Sequence, residues 1–192
     1  MLKVKRIIAV FAMLAVTLGA GMTTTACWKN SGEDSGEVYK MQLYFANAEY
    51  IDSGDETLGH LSGPIELNIS SDDKEGYDKY RLLLECMKET SEEDLNGAVN
   101  MLNDEIQFGD VGFNDGVATV DIKSETASGE PLYGGTLEEL LLIEQITFSM
   151  IDSFEEVKAV AFTVDGSAAD TLMGQMDISE PFDKESFNGD TL

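Results

Sequence analysis

The chain has 192 residues, with 37 acidic residues against 12 basic ones and a single His, for a formal net charge of −25. So strong a negative field argues against nucleic acid as a partner and against direct binding to an anionic lipid surface. It fits solubility outside the cell, cation binding or a basic partner, and most of the carboxylates read as a solvated acidic surface.

The chain opens with Lys3, Lys5 and Arg6, and Ile7 to Leu18 then carry no charge. Gly19, Ala20 and Gly21 follow, and Thr24-Thr25-Ala26 leads directly into Cys27. A basic start, an apolar stretch and small residues are the parts of an export signal. The stretch is short for a membrane span, which takes about 20 apolar residues. A Cys directly after small residues resembles the lipobox of bacterial lipoproteins, although Thr24 stands where that motif usually has Leu. The resemblance implies removal of residues 1–26 and acylation of Cys27, which anchors the protein to a membrane without spanning it. An ordinary secretory signal cut near Ala20 or Ala26 is the plainer alternative, and a retained signal anchor is a further one. Trp28 suits a membrane interface. Residues 28–37 are polar and acidic and read as a flexible tether, whose ten residues reach roughly 17 Å as a random coil.

Val38 to Phe45 reads as a strand, with Tyr39, Met41, Leu43 and Phe45 on one face. Asn47 to Gly63 is turn-rich, with Glu49-Tyr50-Ile51 as a short strand inside it. Ile65 to Ile69 alternates as another strand, and Asp72 to Thr90 is helical. With Cys27 acylated, Cys86 has no disulfide partner. Its spacing from Leu83 makes it a buried, inert thiol. A pairing with His60 that would activate it is not expected. Ile106 to Phe113 and Val117 to Ile122 flank Asn114-Asp115-Gly116, a hairpin signal. Thr136-Leu137-Glu138-Glu139 has capping-box spacing and opens a mostly buried helix running to about Asp152. Val157 to Val164 is a strand ended by Asp165-Gly166, and a polar loop leads to Met176 to Phe182. This order predicts an α+β fold, a small mixed β-sheet with two helices packed on one face.

Several segments in this order resemble the GerMN domain of spore-germination and sporulation proteins and of many Gram-positive lipoproteins. They are Leu43-Tyr44-Phe45, the helix with Leu82-Leu83-Leu84, the turn and strand from Asp115 to Asp121, the helix from Leu140 to Ile151, Val160 to Gly166, and Met176 to Phe182. The chain departs from the pattern at Glu89-Thr90, where the family often has Gly-Pro, and lacks a Pro in Leu102 to Glu105. The organisation that follows is a lipoprotein signal over 1–26, the lipidated Cys27 and tether over 27–37, a GerMN-like domain over 38–183 and an acidic tail over 184–192. The resemblance implies a non-enzymatic module, similar in fold to ring-building domains, that binds an envelope protein or peptidoglycan. No catalytic residue pattern comes with it.

The residues themselves show no Gly-rich phosphate loop, no His-Glu-x-x-His and no Cys/His metal cluster. The acidic pairs Asp72-Asp73, Glu92-Glu93-Asp94 and Glu138-Glu139 read as solvated faces or helix starts, although a cleft holding two carboxyls would suit a glycosidase. Oxygen ligands around Asp110, Asn114 and Asp115 would suit calcium, but Asn114-Asp115-Gly116 already has a turn to make. Asp165 and Asp177 are the two candidate ligand contacts, and each also has a local reading as a turn residue bonding nearby amides. Phe108 and Phe113 are expected in the core. No catalytic residue, metal or cofactor is assigned. The expected protein is a monomeric, lipid-anchored lipoprotein on the extracytoplasmic face of the bacterial membrane, binding a protein or wall partner in sporulation or germination. A small-solute-binding lipoprotein and a carboxylate-dependent cell-wall hydrolase are the alternatives.

Overall fold

The computed structural model describes residues 37–188 except 56, 71–77 and 133, all within the compact unit Ser31–Leu192. The signal, Cys27, Trp28, nearly all of the tether, Asp72-Asp73 and the last residues of the tail lie outside the described residues.

Strand β1 (Val38–Leu43) pairs antiparallel with β2 (Ile65–Ser70), from Val38 opposite Ser70 to Leu43 opposite Ile65. Met41 and Leu43 are fully buried and Phe45 continues the same face, as period two requires. Between the two strands, Ala48–Ser53 is a helix, α1, and not the expected short strand at Glu49-Tyr50-Ile51. The caps explain the difference. The side chain of Asn47 accepts from the Glu49 N–H at 3.0 Å, and Gly54 closes the helix at φ +64°.

Helix α2 (Lys79–Glu89) starts on the Asp78 cap and buries Leu82, Leu83, Leu84, Cys86 and Met87. A single turn, α3 (Glu92–Leu95), is capped by Ser91. Then β3 (Phe108–Asn114) and β4 (Val117–Ile122) form the expected hairpin, with Asp115 and Gly116 both at positive φ in the turn. Helix α4 (Thr136–Ser153) crosses over to β5 (Ala159–Val164), which pairs parallel with β4. The mixed sheet is therefore β3-β4-β5, and β1-β2 is a separate pair. Helix α2 packs against β3 and α4 against β5, and the two helices touch. On the far edge of β5, Val160 bridges Phe182 in both directions at 2.8 Å, so the C-terminal segment continues the sheet.

After its first turn α4 is buried on almost every side, and it serves β1 as a substitute strand. Ser149 Oγ accepts from the Tyr44 N–H and Ser153 Oγ from the Gln42 N–H, both at 2.9 Å. Two hydroxyls one helical turn apart thus cover alternate amides of a sheet edge that would otherwise invite pairing. Among the described residues no helix is long and apolar enough to cross a membrane.

Phe113 is not in the core. It is 39% exposed and stacks on Tyr80 with ring centroids 5.4 Å apart. Phe108 is half-buried under the guanidinium of Arg81. Tyr80 also donates to Glu156 at 2.9 Å, and the Lys79 ammonium holds the Glu156 carboxyl down at about 2.

Candidate functional site

A cleft of about 780 Å³ opens over the first turns of α4. Thr136 and Leu140 form its floor, Tyr50 and His60 one wall, and the stretch from Gln175 to Phe182 the other, with Phe187 at one end. Each wall is fixed by a buried carboxylate from α4.

The first is Glu139, with 0% exposure. Its Oε1 accepts from the N–H groups of Leu172 and Met173 at 3.0 Å, and its Oε2 from the N–H of Gln175 at 2.9 Å. Three amides on one carboxylate pin the loop that becomes the second wall. This role depends on where the helix begins. The N-cap is Gly135, whose N–H donates to Glu138 Oε2 at 2.5 Å, so the capping partner is Glu138. The Thr136–Glu139 capping box expected from the sequence is thus one residue out of register. Thr136 is the first helical residue and its hydroxyl reaches Gln175 Oε1 at 3.3 Å, leaving Glu139 turned inward.

The second is Glu144, 5% exposed, whose Oε2 lies 2.8 Å from His60 Nδ1. Burial pushes the Glu144 carboxyl up, and the neighbouring imidazole pulls it back only in part. His60 is held from two further sides. Its ring lies 4.6 Å from that of Tyr50, and its carbonyl accepts from the Asn47 N–H at 2.8 Å. His60 and Glu144 are 84 residues apart in sequence, so no local motif announces the pair. With Nδ1 engaged by the carboxylate, Nε2 is the ring nitrogen that remains for a ligand.

The wall from Gln175 to Phe182 is also held by local contacts. Asp177 Oδ1 accepts from the N–H and the hydroxyl of Ser179, at 2.9 and 2.6 Å. Phe182 stacks on Phe187 at 5.6 Å and packs edge-on to Phe162.

The two candidates from the sequence separate. Asp177 lines the cleft and also makes its local turn. Asp165 does not line it. Asp165 sits at φ +51° in the turn after β5 and accepts from the Ser124 N–H at 3.3 Å. Beside it, the Gly166 N–H donates to Asp121 Oδ1 at 2.6 Å. Asp121 is a buried carboxylate that sequence reasoning passed over. It is 3% exposed and also meets Lys123 Nζ at 2.8 Å and the Thr163 hydroxyl at 2.9 Å. Burial pushes its carboxyl up, but Lys123, Gly166 and Thr163 together outweigh that, and it rests below the usual range. Gly109 makes room for it, because a Cβ there would lie 1.7 Å from Asp121 Oδ2. The Gly109 carbonyl in turn accepts from Arg81 at 2.7 Å.

The remaining sequence candidates find plain places. Cys86 is 4% exposed within α2, and His60 faces Glu144 instead of the thiol. Glu92, Glu93 and Asp94 form the first turn of α3, and Asn114-Asp115-Gly116 is the hairpin turn. Among the described residues no group of three or more His, Cys, Asp or Glu side chains is placed to hold a metal ion.

The model of the Germane family, described as sporulation and spore germination, matches residues 42–170. No curated protein matches the chain. Among solved structures, the tandem GerMN domains of the sporulation protein GerM from Bacillus subtilis align with TM-score 0.55 at 13% identity. That alignment covers 78% of this chain and 48% of the tandem chain, so this chain spans about half the length of the pair. The first GerMN domain of the same protein aligns with TM-score 0.52 at 13% identity, covering 76% of this chain and 98% of that one. A lipoprotein candidate from Clostridium perfringens aligns with TM-score 0.49 at 18% identity, over 82% of this chain and 95% of that one. At 13% identity the likeness to the two GerM structures is one of fold.

Proposed function

The chain belongs to the Germane family of sporulation and spore germination, and from that premise we propose that it is a non-enzymatic envelope lipoprotein whose domain binds a protein or cell-wall partner. It is held on the extracytoplasmic face of the cell membrane through Cys27, with the acidic residues up to Glu37 as the tether and 38–183 as the binding domain, whose cleft is completed by Phe187 of the segment that follows. The family match across residues 42–170 carries this reading. The site supports it, because Glu139 and Glu144 each bond a wall of the cleft. Carboxylates used in that way build a binding surface, whereas a glycosidase needs two of them flanking a substrate bond. A second reading, capture of a small solute, is favoured by the cleft volume of about 780 Å³, which falls within the range of small-molecule sites.

The test has two arms. Cells expressing the chain or its Cys27→Ala variant are fed labelled palmitate and fractionated. Label and membrane retention are expected for the natural chain and are lost in the variant. In-cell crosslinking and capture of the tagged lipoprotein then recover one envelope protein above a control lipoprotein of similar abundance. An unlabelled, soluble natural chain overturns the anchoring, and recovery of background alone overturns the protein partner.

A further inference from the structure

We propose that the cleft over α4 takes a basic segment of a protein partner that carries apolar side chains between its positive charges. The inference rests on the partner-binding reading and names the chemistry of the partner.

The observations are the lining, the rim and the field. Leu140, Met176, Phe182 and Phe187 give the cleft an apolar interior that can accept aliphatic or aromatic side chains. The charged side chains at the cleft are acidic, with His60 beside them. Asp177 and Glu180 stand exposed on the rim, and Glu144 lies behind His60. Among the described residues no Lys or Arg lines the cleft. The whole chain carries −25, so an acidic partner is repelled before it arrives and a basic one is steered in. His60 adds a directional contact. With Nδ1 engaged by Glu144, Nε2 is the ring nitrogen left to hydrogen-bond the backbone of the docked segment. A second copy of the chain is disfavoured as occupant by the same charge that favours a basic segment.

The cleft is built before anything binds. Glu139 ties down the Leu172 to Gln175 loop, and Glu144 ties down His60, so both walls are fixed by side chains of one helix. A preformed cleft avoids the ordering cost that weakens docking on mobile loops.

The experiment titrates the purified full chain with three synthetic peptides of equal length at physiological salt. One alternates Lys with Leu and Phe, one alternates Lys with Ser, and one alternates Glu with Leu and Phe. The Lys/Leu/Phe peptide is expected to bind, the Lys/Ser peptide about tenfold more weakly or worse, and the Glu peptide not at all. The double variant Asp177→Asn with Glu180→Gln should weaken the first peptide by about tenfold. The amide oxygen introduced by Asp177→Asn still accepts from Ser179, so an unchanged unfolding midpoint shows that the wall is intact. The control Glu92→Gln with Glu93→Gln removes the same charge from α3 and should leave affinity within about twofold. Absence of binding overturns the proposal, as does equal binding of the Lys/Ser peptide or an equal effect of the two double variants. Preferential binding of a disaccharide-peptide wall fragment at the cleft also overturns it. Failure of the peptides with the palmitate and crosslinking results intact removes this proposal alone.

Discussion

At β4, Asp121 is 3% exposed and meets an ammonium, a hydroxyl and a backbone amide; on α4, Glu144 is 5% exposed and meets one imidazole. Both carboxylates are nearly inaccessible yet shift in opposite directions, because Glu144 lies deeper in the protein and has fewer donors. Asp121 has three, and its carboxyl is drawn below the usual range. Glu144 has one, and burial carries its carboxyl upward. Glu139, fully buried on the same helix as Glu144, resembles Asp121 in having three donors, all of them backbone amides. The donor-rich carboxylates hold chain segments in place. The donor-poor one sits beside the cleft, next to the only imidazole in the protein.

The comparison breaks most severely if Glu139 is replaced. Glu139→Leu removes the acceptor for three loop amides and is expected to cost about 3 kcal/mol, since buried donors without partners are expensive. Urea unfolding measures it, and a loss below about 1 kcal/mol would mean that water replaces the carboxylate. Next is Gly109→Ala, whose Cβ must displace Asp121, at an expected cost of about 2 kcal/mol. Gly112→Ala on the same strand meets nothing within 4 Å and should stay within about 0.5 kcal/mol of the natural chain. Equal costs at the two positions would show that strand propensity, and not Asp121, governs the site.

Asp121→Asn is expected to cost about 1–2 kcal/mol at pH 7, from the lost charge-assisted bonds. The folded carboxyl lies below its unfolded value of 3.8, so its stabilisation is present above that value and fades as pH falls through the folded one. The gap between variant and natural chain should therefore close in strong acid. Glu144 has the opposite sign. Its folded carboxyl lies above 4.5, so its favourable contribution is complete below 4.5 and declines as pH rises through the folded value. Glu144→Gln keeps an acceptor for His60 without the charge. It should match the natural chain near pH 4 and be slightly more stable at pH 8, by under about 1 kcal/mol. Thermal melts across pH would show it, and parallel pH curves for the two variants would erase the distinction between the sites.

The strands of period two, the hairpin at Asn114-Asp115-Gly116 and the long buried helix were legible because each is a local pattern. The register of α4 was not. Gly135 with Glu138 and Thr136 with Glu139 satisfy the same spacing, and only the burial of Glu139 against the Leu172 to Gln175 loop decides between them. Helix α1 escaped because six residues hold too little periodicity, although Asn47 and Gly54 are readable caps. Of the cleft, only Asp177 was visible beforehand. His60–Glu144 and Asp121–Gly109 are tertiary meetings, and the composition that signals them, a carboxylate among apolar neighbours, is hidden in a chain with 37 acidic residues.

The most direct test of a cleft with walls fixed by α4 is hydrogen exchange at the amides of Leu172, Met173 and Gln175. Slow exchange is expected in the natural chain and fast exchange in Glu139→Leu, with the amides of α4 protected in both. Exchange of these three amides at the free-peptide rate in the natural chain would contradict it.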